Sequence, residues 1–136
     1  MATKLKDSKA EVDSFKKELM AKQGNKCPIC GGNLLSITSV NRVLDHDHDT
    51  GYCRAVVCRA CNRAEGVIKG AIQTYAKAGN NKYHMIKTLQ NLVDYWDLHK
   101  TPQTDKLYHK HKSAAELREA ANKKARLAYA RKKKGG

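Results

Sequence analysis

The sequence has few of the groups that usually build a core. Its 136 residues include one tryptophan, one phenylalanine and two prolines, and much of its hydrophobic content is alanine. That length suits one domain with extensions, and its small core must lean on a metal or a partner chain. Acidic residues are also scarce, 13 against 27 lysines and arginines, for a formal net charge of +14. Such a balance favours a polyanionic partner, either nucleic acid or an anionic membrane surface. No apolar run is long enough to span a bilayer, and the N-terminal MATKLKDSKAEVDSF has no apolar signal core. The expected location is the reducing cytoplasm, where cysteines serve as metal ligands more often than as disulfides.

What charge there is lies unevenly. Residues 1–26 hold seven basic and four acidic residues, 27–105 hold nine and seven, and 106–136 hold eleven and two. The chain reads as an N-terminal helix (1–26), a metal-braced core (27–78), an amphipathic helix (79–101) and a basic C-terminal extension (102–136). Ser8-Lys9-Ala10-Glu11 has the form of a capping box. Val12, Phe15 and Leu19, with Met20 beside them, follow at helical spacing until Gly24-Asn25 stops the helix. NRVLDHDHDTGYCRAVVC predicts two short strands around an Asp49-Thr50-Gly51 turn. After Cys61 a helical pattern begins (Ala64, Val67, Ile68, Ala71, Ile72, Tyr75), in which Gly66 and Gly70 permit close packing. Ile86, Leu89, Leu92, Val93 and Trp96 form an amphipathic helix that ends before Thr101-Pro102. A last helix starts at Ser113, with Glu116 three residues on. It carries a weak stripe of Leu117, Ala121, Leu127 and Ala128 and frays into the basic end. The stripes at 12–20 and 86–96 suit either a dimer surface or packing within one chain.

Two clusters carry chemistry. Cys27-x2-Cys30 and Cys58-x2-Cys61 are two knuckle-like turns whose four thiolates suit a closed, tetrahedral, structural zinc site; the alternative is two buried, reduced pairs. Cys53 is left over and is expected to be a small buried side chain. Asp45, His46, Asp47 and His48 lie inside the loop that such a zinc would close. Carboxylate oxygens favour magnesium or manganese, and a neutral imidazole can act as a general base. The alternative is a polar turn or a solvated strand edge. Regular strand alternation sends Asp45 and His46 to opposite faces, so a shared site requires the strand to end or bulge there.

Asp45-His46-Asp47-His48, Thr50-Gly51, Arg54 and CRACNRAEG ending at Gly66, interleaved with the two cysteine pairs, resemble the phage recombination endonuclease VII family over about residues 14–99. That family belongs to the ββα-metal, or His-Me finger, nucleases and overlaps the HNH group. The resemblance implies an α+β, mostly helical chain with a zinc-braced ββα-metal core and flanking helices. It implies a Mg2+- or Mn2+-dependent DNA endonuclease that resolves branched DNA such as four-way junctions and acts as a homodimer, in the host-cell cytoplasm if the chain is phage-encoded. Carried over residue by residue, Asp45 and Asn62 would hold the catalytic ion and His46 would be the general base. His48 and Glu65 would support the site, and Cys27, Cys30, Cys58 and Cys61 would hold zinc. Ala55 departs from the pattern, standing where glycine often follows the arginine.

Asn62 also suits a plain helix cap. Arg54 and Arg59 are candidate phosphate clamps. Lys123, Lys124, Arg126, Arg131, Lys132, Lys133 and Lys134 are candidate DNA contacts, or simply a solvated end. Two rival readings stand beside this one: an HNH-type homing or nicking endonuclease on linear duplex, and a non-enzymatic zinc-containing nucleic-acid-binding protein.

Overall fold

A computed structural model describes residues 2–135 as a mostly helical α+β chain. Helix α1 spans Lys9–Lys22, strands β1 and β2 span Arg42–His46 and Cys53–Cys58, and helices α2, α3 and α4 span Arg59–Tyr75, Lys82–Leu98 and Ala114–Gly135. The strands form a two-stranded antiparallel sheet. The chain divides into two compact units, one running through Leu92 and the other beginning at Val93 inside α3.

In the first unit α1 belongs to the same core as the sheet. Met20, Cys27, Leu34, Val56 and Val57 are buried together, with Leu19, Val43, Leu44, Cys58 and Cys61 packed against them. Ser8 caps α1, its Oγ accepting from the Glu11 amide. The capping box is only half formed, because the Glu11 carboxylate accepts from the Lys6 amide instead of turning back to Ser8. Gly24 and Asn25 both take left-handed φ, 62° and 58°, and stop the helix as expected.

Two polar side chains fasten this unit. Gln23 accepts from the Val56 amide at 2.9 Å and donates to the Val56 carbonyl at 2.8 Å, acting as a one-residue strand on the edge of β2. The Arg42 guanidinium donates to the carbonyls of Leu34, Leu35 and Ile37, which ties the loop after the first cysteine pair to the start of β1. Further along, Ile72, Ala78 and Met85, with Leu89 beside them, pack the end of α2 onto the start of α3.

The sheet is irregular where the sequence required it. Arg42, Val43 and Leu44 pair with Cys58, Val57 and Val56, but His46 pairs with Cys53, so two residues of β2, Arg54 and Ala55, oppose the single Asp45. This bulge breaks the alternation and sets Arg54 against Asp45. Ala55 occupies it without a positive φ, so the absent glycine costs nothing here.

Several expectations are corrected. Helix α2 begins at Arg59, and Cys61 lies inside it. Gly66 and Gly70 do not serve close packing: a Cβ at either would meet nothing within 4 Å. Cys53 is exposed, because β2 starts there, at the turn end of the hairpin beyond the core. Of the two apolar stripes, the first buries Met20 within the chain, while Ile86, Val93 and Trp96 of the second are exposed.

In the second unit α4 begins with a complete capping box. The Ser113 amide donates to Glu116 at 2.6 Å, and the Glu116 amide donates to Ser113 Oγ at 3.1 Å. The helix does not fray at Arg131 but continues to Gly135. Lys132, Lys133 and Lys134 fall in its last turn, where cations oppose the helix dipole favourably.

Candidate active site and metal centre

The cysteine quartet is assembled from two local structures. In the first turn the Gly31 amide donates to the Cys27 carbonyl and the Cys27 amide to the Gly32 carbonyl. Gly31 has φ 74°, and a Cβ on Gly32 would lie 3.3 Å from Cys30 Sγ, so both glycines are needed to close the knuckle. In the second, Cys58 ends β2 and precedes α2 as its cap residue, with no side-chain capping bond to occupy its sulfur. Cys61 follows within the first helical turn.

The four sulfurs all lie within 4.8 Å of one another, and Cys30 Sγ and Cys58 Sγ are 3.9 Å apart. A tetrahedral zinc with Zn–S near 2.3 Å sets its sulfurs about 3.8 Å apart. Burial pushes the Cys27 thiol up, but backbone hydrogen bonds from Cys30, Cys58 and Ile29 overcome this and bring it down to about 6. The Cys58 thiol, burial and the thiols of Cys30 and Cys27 together push Cys61 up to about 12. One sulfur ionises early and another resists, a conflict that a dication resolves. The quartet therefore fits a structural metal such as zinc.

At the other end of the hairpin, Asp45, His48 and Arg54 from the strands and their loop share a cavity with Asn62, Glu65, Lys69 and Gln73 of α2. Arg54 holds Asp45 with two bonds, Nε to Oδ2 at 2.7 Å and Nη2 to Oδ1 at 3.0 Å. Its Nη2 also lies 3.2 Å from Glu65 Oε1. The side chains of Asp45, Arg54 and Glu65 are 13%, 39% and 35% exposed, so Asp45 is shielded while the guanidinium reaches solvent. The Asp45 carboxylate, and then Glu65, raise the Arg54 pKa above its ordinary value despite the opposing effect of burial. The oxygens of Asp45, Asn62 and Glu65 are hard donors of the kind magnesium or manganese takes. Among the described residues, however, only the cysteine quartet brings three or more His, Cys, Asp or Glu ligand atoms into mutual reach.

A family model for recombination endonuclease VII matches residues 3–98. The chain belongs to the recombination endonuclease VII family. The matched segment takes in α1, the sheet, all four cluster cysteines and α2, ends with α3, and leaves α4 outside. Membership implies a nuclease with DNA as its substrate.

In this endonuclease VII chain the expected site residues are not all gathered in one place. Asp45, His48, Arg54, Asn62 and Glu65 line the cavity; His46 does not, although its ring lies 4.5 Å from that of His48, centroid to centroid. Asn62 is the fourth residue of α2 and so does not cap it. Arg59 does not line the cavity but borders an adjoining groove with Asn41, Asn62 and Arg63. Lys123, Lys124, Arg126, Arg131, Lys132, Lys133 and Lys134 all lie exposed on α4, and Arg126 is partly neutralised by Glu119 at 2.9 Å.

Asp47 is taken up by structure. It accepts from the amides of Asp49 and Thr50, and its other oxygen lies 2.9 Å from Lys82 Nζ at the start of α3. The Lys82 ammonium, then the Thr50 and Asp49 amides, hold its carboxyl far below the usual range. Sequence reasoning missed Lys82, which has no local motif and meets Asp47 only through the fold. It also missed Arg63, the neighbour of Asn62, and Lys69 and Gln73, whose helical spacing from Asn62 was the available signal.

No helix among the described residues is long and apolar enough to cross a membrane.

Proposed function

We propose that the chain is a divalent-metal-dependent DNA endonuclease with a ββα-metal core, resolving branched DNA such as four-way junctions as a homodimer. The observation that carries this reading is the cavity in which Asp45, His48, Arg54, Asn62 and Glu65 meet, with the cysteine quartet at the other end of the hairpin. Asp45 and Asn62 would hold Mg2+ or Mn2+, with Glu65 and His48 in support. When bound, that ion stabilises negative charge on the phosphate and on the leaving oxygen. His46, just after the bulge, takes the proton from the attacking water. Arg54 faces solvent at the mouth of the cavity and grips phosphate. A two-fold dimer supplies the two sites that a symmetric junction needs, and the exposed Val93 and Trp96 offer apolar surface for it. The basic face of α4 adds affinity for duplex arms.

One observation favours a second assignment of the base: His48, not His46, lines the cavity with Asp45 and Asn62. The ring contact between the two leaves either able to act with the other in support.

The test is cleavage of a labelled four-way junction beside its matched linear duplex, by purified protein with and without Mg2+. Cleavage of the junction in preference to the duplex is the expected result. Equal cutting of linear duplex would favour an HNH-type nicking enzyme, and binding without metal-dependent cleavage would favour a zinc-containing accessory protein.

A further inference from the structure

We propose that Arg54 is the built-in counter-ion of the cation site: it surrenders Asp45 when a divalent ion binds and turns its guanidinium toward a DNA phosphate. This rests on the reading of Asp45 as a cation ligand and deepens it.

The geometry carries the argument. Both Asp45 oxygens are engaged by one guanidinium, at 2.7 Å and 3.0 Å, and the same Nη2 reaches Glu65 at 3.2 Å. A dication on Asp45 would therefore have to share its ligand with a fixed positive charge a few ångströms away, and like charges at that distance repel. The arginine is not trapped. It stands on the bulged strand, is 39% exposed, and retains Glu65 as a pivot after leaving Asp45. The solvent side of the cavity is where a polyanion arrives, and a planar guanidinium pairs with phosphate as well as with carboxylate. Arg63 and Lys69 line the same cavity, but neither is hydrogen-bonded or ion-paired to Asp45, so they do not contest the ligand.

The consequence is thermodynamic. A DNA phosphate that draws Arg54 away frees Asp45 for the ion, and an ion that displaces Arg54 frees it for phosphate. Each ligand then strengthens the other, by the same factor in both directions. Arg54 is a positioning residue in this scheme, acting on the cation through Asp45.

The experiment uses zinc-loaded, full-length chain carrying His46→Ala and His48→Ala, so that DNA stays intact. Mn2+ affinity is read from the paramagnetic resonance of the free ion, with and without four-way junction DNA. In the parent, DNA should tighten Mn2+ binding. Arg54→Gln should bind Mn2+ about fivefold or more tighter than the parent in the absence of DNA, and should lose most of the DNA-induced gain. Arg54→Lys, which keeps a point charge but not the fork, should retain part of that gain. Equal or weaker Mn2+ binding by Arg54→Gln, or an unchanged DNA-induced gain, would overturn the proposal. Asp45→Asn separates the two levels. If it binds Mn2+ as tightly as the parent, Asp45 is no ligand and the cation-site reading falls with this one. If it loses Mn2+ while Arg54→Gln changes nothing, only the role given to Arg54 falls.

Discussion

The cysteine quartet and the Asp45 cavity stand at opposite ends of one short strand, β2, and are built on opposite electrostatic plans. The quartet gathers four sulfurs with no internal positive charge, and its thiols are driven apart in acidity, Cys27 to about 6 and Cys61 to about 12. The cavity gathers two carboxylates and sets Arg54 between them. A site without its own counter-ion needs a cation in order to exist, and its metal is part of the fold. A site that carries its own counter-ion stands without metal and can exchange it. On the function proposed above, the difference separates a bracing role from a working one.

The quartet should fail more completely than the cavity when a ligand is removed. Cys27 is buried in the core as well as sharing in the cluster. Zinc binding to such sites contributes on the order of 10 kcal/mol, comparable with the whole net stability of a domain, about 5–15 kcal/mol. Cys27→Ser should therefore unfold the first unit, seen as loss of zinc by elemental analysis and loss of a cooperative thermal transition. Cys53→Ser, outside the cluster and exposed, should keep both. A Cys27→Ser protein that is zinc-free and still melts cooperatively would break the comparison.

The cavity should lose chemistry and keep the fold. His46 and His48 are both exposed, and their removal opens no core. His46→Ala should lower cleavage by about 10²-fold or more, with the thermal midpoint and DNA affinity nearly unchanged. His48→Ala should cost less. If His48→Ala proves the more damaging of the two, the base role moves to the residue that lines the cavity; if neither matters, the base lies elsewhere.

Helix α4 belongs to neither site. Residues 106–136 carry eleven basic and two acidic residues, outside the segment that matches the family. If roughly four of those cations contact phosphates, truncation after Lys112 should reduce the slope of log affinity against log salt by about 3–4. Cleavage at saturating protein should stay near normal, because both sites remain. An unchanged slope would show that α4 does not touch DNA.

Features written in local spacing were legible in the sequence. The cysteine pairs, both N-terminal caps, the stop at Gly24-Asn25 and the need for a bulge near Asp45 all follow from residues within a few positions of one another. What escaped depends on partners brought from far away. Gln23 meets Val56, Arg42 meets Leu34 and Lys82 meets Asp47 across 33, 8 and 35 positions, and no periodicity marks such pairs. The two glycines of α2 misled for a related reason: a missing side chain signals room, and only the fold shows that the room is open space beside the cavity. Cys53 misled because a strand pattern does not reveal how far the core extends along the strand.

The least visible of those contacts gives the smallest expected effect, and it bears on how the imidazoles are held. Asp47 lies between His46 and His48 and knots their loop, accepting from two loop amides with one oxygen and from Lys82 with the other. Its carboxyl is held far below the usual range, chiefly by Lys82 and then by the Thr50 and Asp49 amides. A carboxyl with a depressed folded pKa stabilises the fold when ionised. That contribution is complete above its unfolded pKa, about 3.9, and is lost only as pH falls below this toward the folded value. Asp47→Asn keeps an oxygen for the amides and removes the charge that Lys82 needs, whereas Asp47→Ala removes both. The thermal midpoint should therefore fall slightly for Asp47→Asn and further for Asp47→Ala. The gap between wild type and Asp47→Asn should stay flat from about pH 8 down to about pH 5. Over that span an ionised Asp47 gains and loses nothing. A gap that closes between about pH 7 and pH 5 would mean that Asp47 titrates near or above the ordinary carboxylate range and that Lys82 does not hold it. Cleavage should follow the knot more closely than stability does, since a loosened loop misplaces both imidazoles. Asp47→Ala should therefore cut more slowly than Asp47→Asn at equal folded fraction, and equal rates would show that the loop amides hold the imidazoles without help from this side chain.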